Sequence, residues 1–221
     1  MTDHIIMSMH HPGRCEHVSC LPITKESRLA KKSIQGLMIE TSGNEQQIKE
    51  RMHRFVPVTL REESGDDRKI MQLLCIWASD SVEDLAWLAD CGLHDRGNDW
   101  RAGSVGFTNF LSLDKPGGNT HTLEWRQMAG SLDPQHISLW IRFCIYFTNF
   151  TRLASADVYK AVLKEILGTG ESFTVSNLLQ RIGLGEDITF WEERMKRYAE
   201  GNCDLYDGQS GRLFVPPLES D

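Results

Sequence analysis

Apolar positions along the chain recur mainly at three- and four-residue intervals, the period of an amphipathic helix, and change to a period of two between residues 103 and 129. In residues 69–77, Ile70, Leu73, Leu74 and Trp77 share one helical face. A second helix starts at Asp80 and Ser81, where Ser81 and Asp84 have the spacing of a capping box. Val82, Leu85, Ala86 and Leu88 form its inner side and Gly92 ends it. Two shorter helices are expected before these, over residues 27–37, opened by Ser27, and over 45–55, with Ile48, Met52 and Phe55 in register.

From Asp133 onward the pattern is helical throughout. Asp133 is a suitable N-cap, and Pro134 stands at the first helical position, where its missing N–H costs nothing. The long helix that follows is expected to turn Ile137, Trp140, Ile141, Cys144, Phe147 and Phe150 inward. Ser155, Thr174 and Thr189 are read as caps of helices reaching residues 167, 182 and 200, with Gly201 just beyond the last.

In the period-two stretch, Val105, Phe107, Asn109 and Leu111 alternate with Gly106, Thr108 and Phe110. A turn at 115–119 follows, and alternation resumes over 121–129, the pattern of an antiparallel hairpin. The expected fold class is therefore α+β, a small antiparallel β-sheet with helices before and after it. Residues 1–24 read as an irregular lead-in with no core face, 25–201 as a single domain, and 202–221, with Pro216 and Pro217, as a tail.

Composition narrows the class of partner. The chain has 221 residues, 40% hydrophobic and 25% charged, which suits a globular domain with a real core. Its net charge of -7 comes from 31 acidic against 24 basic residues, and the basic ones are scattered, which argues against nucleic acid as a partner. Six cysteines without a CxxC pair read as buried thiols of a reducing compartment. The N-terminus lacks the pattern of a signal peptide, and the apolar-rich stretch 137–150 is interrupted by Arg142 and falls short of the roughly 20 residues that cross a bilayer. No membrane and a cytoplasmic location are expected.

The candidate chemistry lies on the second strand. Side chains two apart on a strand point the same way, so Glu124 and Arg126 leave one face together, about 7 Å apart, with Thr122 and Met128 beside them. Leu123, Trp125 and Ala129 take the other face. A carboxylate there can hold Mg²⁺, and the planar guanidinium can grip a phosphate or a substrate carboxylate. The same pattern also describes a half-exposed salt bridge on the polar side of a sheet.

Other constellations are weaker. His10, His11, Cys15, His17 and Cys20 carry zinc-ligating atoms at a spacing that fits no zinc finger. His94 stands in a polar loop and His121 opens the second strand. Gly168, Gly170, Gly183 and Gly185 read as helix terminators, since none opens a strand-to-helix phosphate loop.

The run Thr122 to Pro134, Thr-Leu-Glu-Trp-Arg-Gln-Met-Ala-Gly-Ser-Leu-Asp-Pro, with Ile137 to Phe143 after it, resembles the EFRQHxGTLD segment of the amidoligase family of filamentous fungi. Residues 81–85 and 105–110 resemble the helix and the Asn-bearing strand that precede that segment, and the likeness extends over residues 10–183. The resemblance implies a glutamine-synthetase-like fold. It also implies an ATP- and Mg²⁺-dependent ligase that joins a small-molecule or peptide carboxylate to an amine. Carried onto this sequence, it makes Glu124 a metal ligand and Arg126 a catalytic and phosphate- or substrate-binding residue, with Gln127 and Asn109 at matching motif positions as catalytic and cofactor-binding candidates. Two departures stand out. The motif's His is Met128 here, and the family's first half, with its Glu-x-Glu strand and His-x-His segment, has no counterpart. The resemblance therefore implies the C-terminal half of such a ligase, with at most a partial site for ATP and Mg²⁺, or an inactive relic that binds a protein through an uncovered apolar face.

Overall fold

The computed structural model describes residues 3–11, 20–33, 35–36, 46, 50, 67–79, 81–89, 91, 105–106, 123–128, 131–168 and 172–202. Helices dominate them. They are α1 (Asp3–Ser8), α2 (Ile23–Glu26), α3 (Arg28–Lys31), α4 (Asp67–Ala78), α5 (Val82–Ala89), α6 (Pro134–Leu153), α7 (Ala156–Gly168), α8 (Val175–Arg181) and α9 (Ile188–Ala199). Strand is confined to β1 (Val105–Gly106) and β2 (Glu124–Trp125), which pair antiparallel with Val105 opposite Trp125 and Gly106 opposite Glu124.

The α+β expectation is thus corrected: the described residues are mainly helical, and their sheet is no more than the β1–β2 ladder. A two-residue ladder buries too little to stand as a layer of its own. Helices supply the core. The pairing has the orientation expected of the hairpin, but its turn at 115–119 lies outside the described residues. So do the expected helix at 45–55, apart from Gln46 and Glu50, and both His94 and His121.

The principal core joins α1, α6, α7, α8 and α9 through Ile5, Met9, Trp140, Phe143, Leu178 and Trp191, among others. Burying a side chain of this size stabilises by about 1.5–3 kcal/mol, so the cluster is the main source of cohesion. The reading of residues 1–24 as lacking a core face is corrected here, because Ile5, Ile6, Met7 and Met9 are all buried. With a helix only six residues long, the sequence offers less than two turns over which a period could show. A smaller cluster of Leu29, Cys75 and Leu88, with Met71 against it, ties α3, α4 and α5 together.

Caps set the element boundaries. Asp133 accepts hydrogen bonds from the N–H groups of Gln135 (2.9 Å) and His136 (3.2 Å), opening α6 as expected. Thr174 and Asn177 complete a capping box on α8, while at α5 the Ser81 hydroxyl accepts from the Asp84 N–H and donates to the Asp84 carboxylate. The helix expected over 27–37 does open at Ser27, which accepts from the Ala30 N–H, but as α3 it ends at Lys31; the extended Ser27 also ends α2 before it. Thr189 is not a cap. The 3₁₀ turn Gly185–Asp187 leads straight into α9, placing Thr189 inside its first turn. Gly183 and Gly201 hold φ of 85° and 87° after α8 and α9, the left-handed position that favours glycine.

The inner face of α6 is rotated from the one expected. His136, Trp140 and Phe143 are buried, whereas Ile137, Ile141 and Ile145 are 37%, 53% and 52% exposed. The bulky rings take the interior because the partner helices meet α6 along that line, and the isoleucines are left as an outward stripe.

Candidate functional site

β2 carries the expected chemistry. Glu124 and Arg126 do lie on one side, where Arg126 Nη2 donates to Glu124 Oε2 at 2.6 Å. Between them Trp125 turns inward and meets Phe147, Trp140 and Phe143 edge-on, at centroid separations of 5.6, 6.3 and 6.3 Å. The aromatic anchor fixes the strand against α6 and leaves the ion pair on the outer side. The carboxylate is the open member of the pair: the Glu124 side chain is 54% exposed and that of Arg126 only 16%.

The alternation fails at Leu123 on one side and, past the buried Gln127, at Met128 on the other. Leu123, expected inward, is 41% exposed, and Met128, expected beside Arg126, packs on the main core. Met128 therefore stands in the core's service, away from the ion pair. Gln127 is fully buried, and its Nε2 and Oε1 have no hydrogen-bond partner among the described residues. An amide so placed costs roughly 1–3 kcal/mol. Asn109 and Ala129 lie outside the described residues.

The fit of these residues to Mg²⁺ is poor as a self-contained site. Mg²⁺ takes six oxygens, and β2 offers one carboxylate, which already accepts from Arg126. Among the described residues, no group of three or more His, Cys, Asp or Glu side chains could hold a metal ion. That also bears on the zinc-ligating candidates. His10 and Cys20 are buried in the fold, His11 meets the Tyr198 ring at 5.8 Å, and Cys15 and His17 lie outside the described residues. Phosphate or carboxylate capture by Arg126 is the one chemistry that the pair offers unaided.

A second polar constellation lies where α6 begins and α9 ends. Arg194, 3% exposed, bonds through Nη2 to Asp133 Oδ2, and its Nη1 lies 3.4 Å from the Tyr198 hydroxyl. Burial works against the Arg194 charge, while Tyr198 and Asp133 favour it. His136 is wholly buried beside them. Burial first, then the Arg194 guanidinium, lower its pKa to about 4, with Asp133 opposing and Arg197 adding to the fall. At neutral pH its imidazole is uncharged. His10 reaches the same place from the N-terminal segment, its ring edge-on to Trp140 at 4.5 Å and 6.4 Å from that of His136.

Helical spacing carries a signal for this constellation that the candidate list does not use. His136 is four residues before Trp140, and Arg194 is three after Trp191 and four before Tyr198, so all belong to buried stripes. His10 gives no such signal. Cys144 shows the opposite of activation, since burial pushes its thiol up to about 12. No protein-family model matches the sequence, and no curated protein and no solved structure matches it.

Proposed function

We propose that this chain is the C-terminal part of a cytoplasmic ATP- and Mg²⁺-dependent carboxylate–amine ligase of the amidoligase kind. In this reading Arg126 binds a phosphate or the substrate carboxylate, and Glu124 contributes one oxygen to a metal whose other ligands come from elsewhere. The observation that carries it is the pairing of Glu124 with Arg126 on the outer side of β2, with Trp125 anchoring the strand from behind. Support also comes from the likeness of residues 122–134 to the family's segment. The glutamine-synthetase-like sheet forms no part of this proposal, because the described residues are mainly helical.

Calorimetric titration of Mg²⁺-ATP into the full chain and into Glu124→Gln and Arg126→Ala tests it. Both variants should bind at least about tenfold more weakly, the loss of one charge-assisted contact. Equal affinity in all three overturns the assignment. Tighter ATP binding by Glu124→Gln would show that the carboxylate only competes for Arg126.

A second reading is favoured by the outward stripe Ile137, Ile141 and Ile145, continued by Leu153 at 69% exposure. Such a stripe suits an interaction module that presents α6 to another protein. Replacing Ile141 and Ile145 by Lys should leave Mg²⁺-ATP titrations unchanged and abolish binding to that protein, which separates the two readings.

A further inference from the structure

The segment formed by α1 and the two residues after Met9 lies against α6, α8 and α9. Ile5, Ile6 and Met9 enter the main core, the Ser8 hydroxyl lies 3.9 Å from Met195 Sδ, and His10 and His11 meet Trp140 and Tyr198 edge-on. Two consecutive imidazoles thus form the polar end of an otherwise apolar attachment. His10, 2% exposed, covers one side of His136, while Trp191 lies on another at 5.6 Å and Phe190 at 6.3 Å.

The charged and titratable groups facing this junction, among the described residues, are unequal in sign. α6 contributes Asp133 and His136, α9 contributes Arg194, Arg197 and Tyr198, and the segment contributes His10 and His11. The single carboxylate is already bonded to Arg194, so a proton added to a buried imidazole meets like charge in a dry site. An imidazole exposed by detachment of the segment would take that proton from water at its ordinary pKa of about 6.5.

We infer that the segment of residues 3–11 is a proton-released latch: uptake of one proton by the His136 imidazole, uncovered when His10 leaves, detaches the segment from α6 and α9 while the remaining helices stay packed. Burial and Arg194 hold the pKa of docked His136 down to about 4, so mild acid favours the open form well before the docked form can be protonated. Opening uncovers the faces of Trp140 and Trp191 that His10 occupies, together with the core positions that Ile5, Ile6 and Met9 fill.

Hydrogen exchange of the full chain between pH 7.5 and 5, with every rate divided by the intrinsic amide rate at that pH, tests the latch. Opening of residues 3–11 should increase at least tenfold per pH unit below 6.5, tenfold for the proton taken up by His136 with any uptake by freed His10 adding to it, while amides in 140–150 keep their protection. His136→Phe should lower the slope by that tenfold per unit. His10→Phe, which leaves His136 in place and its cover apolar, should retain it. A pH-independent protection of residues 3–11 in the unsubstituted chain overturns the proposal. Loss of protection in 3–11 and 140–150 together overturns it equally. The unsubstituted chain decides the matter even if neither variant folds.

Discussion

Arg194 on α9 bonds to Asp133, the residue that caps α6, so one carboxylate both starts the longest helix and neutralises a buried guanidinium. The first four N–H groups of a helix have no partner within it and are left to side chains or water. Here one carboxylate oxygen takes two backbone N–H groups and the other takes Arg194.

Asp133→Ala removes both roles. Loss of the cap costs about 1 kcal/mol, and a buried cation left without its partner costs roughly 3–5 kcal/mol. Urea titration should give a total of about 4–6 kcal/mol, the sum of the two. Asp133→Asn keeps an acceptor for the backbone and should lose less. Equal losses in the two variants would show that the cap contributes nothing, and a negligible loss in Asp133→Asn that the ion pair contributes nothing.

Acid should destabilise the fold through His136. Its folded pKa of about 4 lies below the unfolded value, so its contribution is fully present above pH 6.5 and is lost as pH falls toward 4. The loss over that window is about 3 kcal/mol for a single group. His136→Phe should flatten the curve of unfolding free energy against pH between 6.5 and 4; an unaltered slope would assign the proton uptake to other groups.

The rotated face of α6 can be checked by truncation. Phe143→Ala should cost about 3–5 kcal/mol, since Phe143 is fully buried. Ile141→Ala, at 53% exposure, should cost under about 1 kcal/mol. Comparable losses from both would restore the face expected from the apolar spacing.

Glu124→Gln should shift the thermal midpoint by little, because a pair with its carboxylate 54% exposed contributes about 0–1 kcal/mol. Any larger effect of this variant on nucleotide titration is then a binding effect and not a folding one.

Gly201→Ala isolates a conformational cost. Nothing lies within 4 Å of the added methyl group, yet φ is +87°, so a loss of about 1–2 kcal/mol by urea titration would come from the backbone alone.

Much of the helical framework is legible in the sequence because caps are local. Asp133, Ser81, Thr174 and Gly201 each act within a few residues, and each sits at or next to a helix end. The rotation of α6 is not legible, because Ile137 and Ile141 are as apolar as Phe143 and only the neighbours of α6 decide which of them is covered. The strand was readable in direction and register of its charges, with Glu124 and Arg126 emerging together. Its length was not. Gln127 keeps to the inward face of Trp125, but at Met128 alternation gives way to the core, against which that residue packs. Asp133–Arg194 spans sixty-odd residues of chain and leaves no local trace beyond two polar positions on otherwise apolar stripes.

The edge-on contacts of Trp125 with Trp140, and of Trp140 with Trp191, set three indoles in an unbroken chain from the strand to α9. Neighbouring indoles couple their electronic transitions, so near-ultraviolet circular dichroism reads their mutual orientation. Since the Trp125 ring faces α6 while Glu124 and Arg126 pair on the other side of the strand, that signal follows the seating of the strand on α6. The molecule carries its own optical gauge for the strand.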